Sequence, residues 1–239
     1  MTTTAEPTDP SASEADEQLG LLMADREALG VTLDRFAAVF TVLASLLGEA
    51  PEAELVDRVR AADQLAQWPV TDDGESLHGR ALLEGSAQAH EDATAVRRDY
   101  NRLFFGPDRM IAPPYESVHR SEEHLVFERD TMLVRAAYAE FGLAAPRLNK
   151  EPDDHIGLEV NFLATLCVRG MDALDDADDA ELAHVLRGIR SFLADHVLAW
   201  APTCLTQAAQ GATTHFYQGV AALGLGALAA AQDAFLRAP

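Results

Sequence analysis

Lysine is almost absent from this chain: Lys150 is the only one in 239 residues. Against 39 acidic residues stand 18 basic ones, leaving a formal charge of −21. That balance excludes general nucleic-acid binding, which needs clustered Lys and Arg. The arginines are scattered, and the Arg97–Arg98 pair is too small a patch to matter. Cysteine is also scarce. Cys167 and Cys204 are isolated, with no C-x-x-C and no disulfide framework, which suits a reduced compartment. No apolar run reaches the ~18 residues of a membrane span. The N-terminal residues 1–18 have no positive start, no apolar core and no paired arginines, and they read as a disordered acidic leader. A cytoplasmic protein with no stable membrane insertion is the expectation. Strand chemistry is missing as well, because no segment alternates with hairpin turns.

The acidity that is present runs along the whole chain rather than in a tail. Few lysines and many aspartates suit a protein adapted to molar salt, where repulsion is screened within about 3 Å. Apolar residues make up 48 % of the chain, enough for a sizeable core.

Nearly every segment after the leader has helical period. In 31–48, Leu33, Phe36, Ala37, Phe40, Leu43, Ala44 and Leu47 recur at i, i+3, i+4 spacing, and Gly48 supplies a stop. Further helices are expected over 51–66, 76–105 (with a break near Gly85), 125–141, 153–170, 178–200 and 213–236. The fold class is therefore all-α, a single domain over 19–239 with about nine to eleven helices. A proline-bearing loop over 106–124 separates its two parts, and loops of that length are usually functional. An acidic stretch, 172–180, reads as a solvated turn.

Three segments carry the unusual chemistry: YNRLFFGP (100–107), APPYESV (112–118) and EPDDHIGLEVNFL (151–163). Pro113 and Pro114 keep the second from being helical. A loop so stiffened loses little entropy on binding, and Tyr115 offers flat apolar area with a polar tip. The alternative is a rigid connector with Tyr115 covering the core edge. In the third segment, Glu151 or Asp153 can cap a helix whose apolar face is Ile156, Val160, Leu163 and Cys167. His155 and Glu159 are four apart and can touch. Asp153, Asp154 and His155 with no basic neighbour exceed what capping needs, and such a cluster can grip a guanidinium. Trp200, in FLADHVLAWAPTC, is a core residue or a peptide anchor, and Pro202 is expected to end its helix.

Other chemistry is thinner. E-x-x-H occurs as Glu75/His78, Glu116/His119 and Glu181/His184, the pattern that twice over suggests a di-iron bundle. Their expected positions do not converge, so no metal and no cofactor is assigned. Gly224 and Gly226 match a relaxed dinucleotide fingerprint without a preceding strand, and read as small residues for close helix packing. No phosphate loop or nucleophile elbow is present, and a non-enzyme is expected.

In order and in register, the three segments resemble the TorD/DmsD/NarJ family of redox-enzyme maturation chaperones. The likeness is densest over about 65 residues and looser over 33–235; FLADHVLAW resembles a later family segment. Tyr115 departs from one common family form, which has Trp there. The resemblance implies a cytoplasmic chaperone that binds a molybdopterin-containing reductase precursor and its twin-arginine signal peptide during cofactor insertion. By resemblance and chemistry together, the expected peptide-binding residues are Pro114, Tyr115, Glu116, Ser117, Asp153, Asp154, His155 and Trp200. The expected quaternary state is a monomer or a domain-swapped dimer exchanged through 106–124. A helical metal- or small-molecule-binding protein, ferritin-like, is the alternative.

Overall fold

Two helix crossings organise the chain, and each depends on glycines that let backbones touch. A computed structural model describes residues 10–71, 73–106, 109–120, 129–145 and 152–237. In it, α1 (Pro10–Ala24) is followed by α2 (Arg26–Gly48), α3 (Ala53–Val59), α4 (Ala62–Ala66), α5 (Gly74–Gln88) and α6 (Ala93–Phe104). The short α7 (Glu116–Arg120) and α8 (Arg129–Glu140) lead to α9 (Ile156–Asp175) and α10 (Asp179–Phe192). A π-helical turn, Leu193–Val197, then joins α11 (Leu198–Gly211), and α12 (His215–Phe235) closes the fold. Among the described residues there is no strand, only one isolated antiparallel bridge between Tyr115 and His155.

The first crossing packs α2 on α9. A Cβ on Gly157 would lie 2.5 Å from the Gly48 Cα, closer than any side chain tolerates. Farther along, Gly170 faces Leu33. The second crossing packs α5 on α12, where a Cβ on Gly79 would meet Gly219 O at 2.9 Å. Gly224 and Gly226 lie within α12 against Leu205 and Ser76, so they serve helix packing. α10 covers α9, and α11 covers α12. Aromatic side chains join the two pairs: Phe36 meets Phe235 with centroids 5.2 Å apart, and Tyr217 donates to Leu46 O at 3.2 Å.

The expected helices form with altered boundaries. The chain is helical from Pro10, so α1 begins inside the expected leader, and residues 1–9 lie outside the described ones. The 51–66 helix is two short ones. The break in 76–105 falls at His90 (φ 52) rather than Gly85, because Asp92 caps a new helix by accepting Ala95 N. The 106–124 loop contains α7, since helix can start as soon as the prolines have passed; 121–128 lie outside the described residues. Pro202 does not end its helix. It sits within α11, one turn after the wide π turn, where the ladder has already been reset.

α2 is long and apolar enough to cross a membrane by composition alone. Its Leu33, Phe36, Phe40, Leu43 and Leu47 are buried against the rest of the protein, as the sequence pattern predicts.

Candidate functional site

The three unusual segments meet at one place. Glu116 N donates to Asp154 O at 3.0 Å, and Ile156 N to Pro114 O at 2.8 Å, stitching the proline loop to the entry of α9. The rings of Tyr115 and His155 meet edge to face across this bridge, 5.2 Å apart.

Behind the bridge the acidic side chains are buried, and each has at least one bonded oxygen. Asp154 accepts Ser117 N and the Thr131 hydroxyl, both at 2.8 Å. Asp153 is paired with Arg135, and its carbonyl accepts the Tyr138 hydroxyl at 3.1 Å. Glu116 receives Arg120 at 2.5 Å and lies 2.9 Å from His196 Nδ1. Arg120 also donates to Asp195 O in the π turn, so α7 is tied to α11's base. Trp200, fully buried, donates its indole N–H to Glu159 at 3.0 Å. His119 packs on Trp200 and contacts Pro113 O at 2.8 Å, and the Cys204 thiol lies 3.4 Å from the same carbonyl. Burial pushes the thiol of Cys204 up, and that of Cys167 up to about 12; both are inert core groups.

These contacts correct several expectations. Asp153 and Asp154 are not at an exposed helix end, and Asp153 has a basic neighbour in Arg135, 18 residues earlier in the chain. Of the two expected caps, Asp153 is not the one used and Glu151 lies outside the described residues: His155 Nδ1 accepts Gly157 N at 3.1 Å. Glu159 turns to Trp200. Glu116, Ser117 and Pro114 are buried too, and Trp200 is core rather than an exposed anchor. Tyr115 and His155 alone among the expected residues open onto a groove.

In front of the bridge lies that groove, of about 630 Å³. Its floor is the α2–α9 crossing, with Ala44, Ser45, Gly48, Gly157, Leu158 and Asn161. Tyr115 and His155 form one wall, and Tyr100, Asn101, Phe104 and Phe105 from the end of α6 form another. Phe105 is 67 % exposed, a large apolar group held in water, and Glu49 supplies a carboxylate at the rim. None of the α6 residues was singled out from sequence as a binder. The signal was present, because YNRLFFGP is one of the three motifs, but it reads as a helix end. Tyr100 is anchored by its hydroxyl to Leu47 O at 3.3 Å, and α6 is held by Asp99, which accepts Thr213 and Thr214. Burial alone would raise the Asp99 pKa, but bonds from Arg102, Thr214 and Thr213 outweigh it and lower it.

The E-x-x-H pairs are used elsewhere: Glu116 and His119 within the buried fastening, His184 stacked on Phe141. No cluster of three or more potential metal ligands occurs among the described residues.

The profile of the nitrate reductase delta subunit family matches residues 69–206, more than half of the chain and all three motif segments. The protein belongs to that family. Among curated relatives, it is 29 % identical to the Tat proofreading chaperone DmsD of Salmonella typhi over 80 % of this chain and 85 % of that one. It is 24 % identical to the chaperone protein TorD of Vibrio cholerae over 83 % of this chain and 91 % of the relative. The likeness expected from the motifs is thereby met by both relatives, and the all-α fold agrees with it.

Proposed function

We propose that this family member is a cytoplasmic, non-enzymatic chaperone that holds a molybdopterin-containing reductase precursor and its twin-arginine signal peptide while the cofactor is inserted. The three motif segments meet, with the end of α2, around one open groove; that convergence carries the reading. The relatives' names, a Tat proofreading chaperone and a TorD chaperone, support the same class.

The groove suits a peptide with an apolar segment. Phe105, Leu158 and Tyr115 offer apolar surface, while Asn101, Asn161 and Ser45 can bond a backbone. The expected peptide contacts then divide. Tyr115 and His155 touch the ligand; Pro114, Glu116, Ser117, Asp153, Asp154 and Trp200 hold the wall that carries them. The peptide's arginines meet Glu49 at the rim and the acidic surface beyond, since the buried acids are already paired.

Calorimetric titration with a synthetic twin-arginine signal peptide of a molybdopterin-containing reductase tests the reading. Saturable binding at micromolar or tighter Kd is expected (about −8 kcal/mol). Tyr115→Ala is expected to weaken it about tenfold. Absence of binding to both the peptide and the full precursor would overturn it.

A further inference from the structure

Glu159 lies in the first turn of α9, wholly buried. Its Oε2 accepts the Trp200 indole, whereas its Oε1 has no partner among the described residues. Within hydrogen-bonding reach of it stands Glu116 of α7, equally buried, whose two oxygens face Arg120 and His196. Two ionised carboxyls side by side out of water repel each other. A hydroxyl on Glu159 turns the same approach into a hydrogen bond, and it would fill the vacant capacity of Oε1, because each carboxylate oxygen of Glu116 has room for a second donor.

We propose that Glu159 is a positioning residue: carrying a proton, it bonds Glu116 through Oε1 and locks the proline loop onto α9 and α11, and its ionisation releases that wall of the groove. The consequence for peptide affinity rests on the groove reading above; the consequence for the loop does not.

The charged surroundings support a neutral Glu159. From α7 come Glu116, Arg120 and His119, and from the π turn His196 and Asp195. Arg120 and His196 are both committed to Glu116. Ahead of α9, Asp153 and Asp154 add negative charge, with Arg135 of α8 engaged by Asp153 and Arg120 lying 3.8 Å from Asp130. Tyr138 of α8 and Cys204 of α11 complete the shell, both with pKa raised by burial first and by Glu159's charge second. Burial, then the Glu116 charge, hold the Glu159 carboxyl well above its ordinary 4.5, and the Trp200 bond offsets this only in part. A folded pKa above the unfolded one gives a contribution that is complete below the ordinary value and is lost as pH rises through the folded value. Rising pH therefore loosens the loop.

Amide hydrogen exchange over 112–118, corrected for intrinsic rates, and signal-peptide affinity are measured as pH is raised from the ordinary carboxyl range to the alkaline limit of the fold, the direction in which the Glu159 carboxyl is shifted. In the parent, exchange is expected to rise about tenfold and affinity to fall about tenfold across that range. Glu159→Gln presents a neutral donor to Glu116 and an acceptor to Trp200, and keeps His196 in place. It is expected to hold both quantities flat at the parent's low-pH values, whereas Glu159→Ala is loose at every pH. Equal slopes in parent and Gln variant would overturn the proposal, as would a Gln variant that is loose or fails to fold, since it preserves every bond assigned. If the loop follows this titration but no signal peptide binds at any pH, positioning stands and the groove's occupant is wrong. If the peptide binds with a flat pH profile over an unchanging loop, the groove reading survives and positioning fails.

Discussion

The two sides of the proline loop are built in opposite ways. Toward α8, α9 and α11 its neighbours are charged or polar yet out of water: Glu116, Asp153, Asp154 and Glu159 are each fully buried, three of them partnered by Arg120, Arg135, Ser117 N and Thr131. Toward α2 and α6 the neighbours are mostly neutral and several are exposed, Phe105 above all, with Glu49 the one carboxylate lining the groove. Burying charge is costly unless every group is paired, and stripping one partner costs more than the pair returns. What such a network supplies is one fixed arrangement. Here it fixes a loop whose other face is open. The polar side is the frame, and the apolar side is the surface offered.

The sharpest way to break that comparison is to cut the frame. Asp154→Ala leaves Ser117 N and the Thr131 hydroxyl buried without an acceptor, at about 1–3 kcal/mol each, so a loss of roughly 3 kcal/mol is expected. Urea unfolding measures it. An unchanged midpoint would mean that the buried side is not what holds the loop.

A second cut goes through the floor. Gly157→Ala puts a methyl 2.5 Å from Gly48 Cα and 2.8 Å from its nitrogen, so α2 and α9 must part. Overpacking of this kind costs roughly 1–3 kcal/mol, and about 2 kcal/mol is expected here from thermal melting. Because the same contact is the groove floor, peptide affinity should fall with stability. A variant that melts lower but binds normally would separate floor from groove.

How far the sequence speaks differs between these regions for a physical reason. The core stripe of α2 is legible because burial of one helix face leaves a 3.6-residue period, and Leu33, Phe36, Phe40, Leu43 and Leu47 all lie where that period puts them. Likewise the three motifs mark the segments that meet at the groove. They do not reveal which of their residues face out. Asp153 and Asp154 read as solvent-facing because their partners, Arg135 and Thr131, lie 18 and 23 residues away, and pairing at that range leaves no local pattern; Glu116 does have a local partner in Arg120, but its bond to His196 spans 80 residues. Trp200 was open between core and anchor for the same reason: its bond to Glu159 spans 41 residues. Phe105 was missed in the opposite direction. An aromatic beside Phe104 at a helix end reads as core, and only the extended conformation after α6 turns it outward, at φ −146 and ψ 145.

Phe105 also supplies the smallest and most discriminating prediction. It is 67 % exposed, so little of its surface leaves water on folding, and Phe105→Ala is expected to change stability by no more than about 0.5 kcal/mol. Its ring borders the groove with Asn101 and Phe104, and a peptide laid there would cover it. Truncating a covered aromatic at an interface typically costs more than 1 kcal/mol, so affinity for the signal peptide should fall about tenfold. Melting and calorimetry on the same preparation read both numbers. Unchanged melting with weakened binding is the signature of an offered surface, opposite in kind to Asp154→Ala. Lowered melting with intact binding would instead make Phe105 part of the frame, and the division between the loop's two sides would no longer hold at α6.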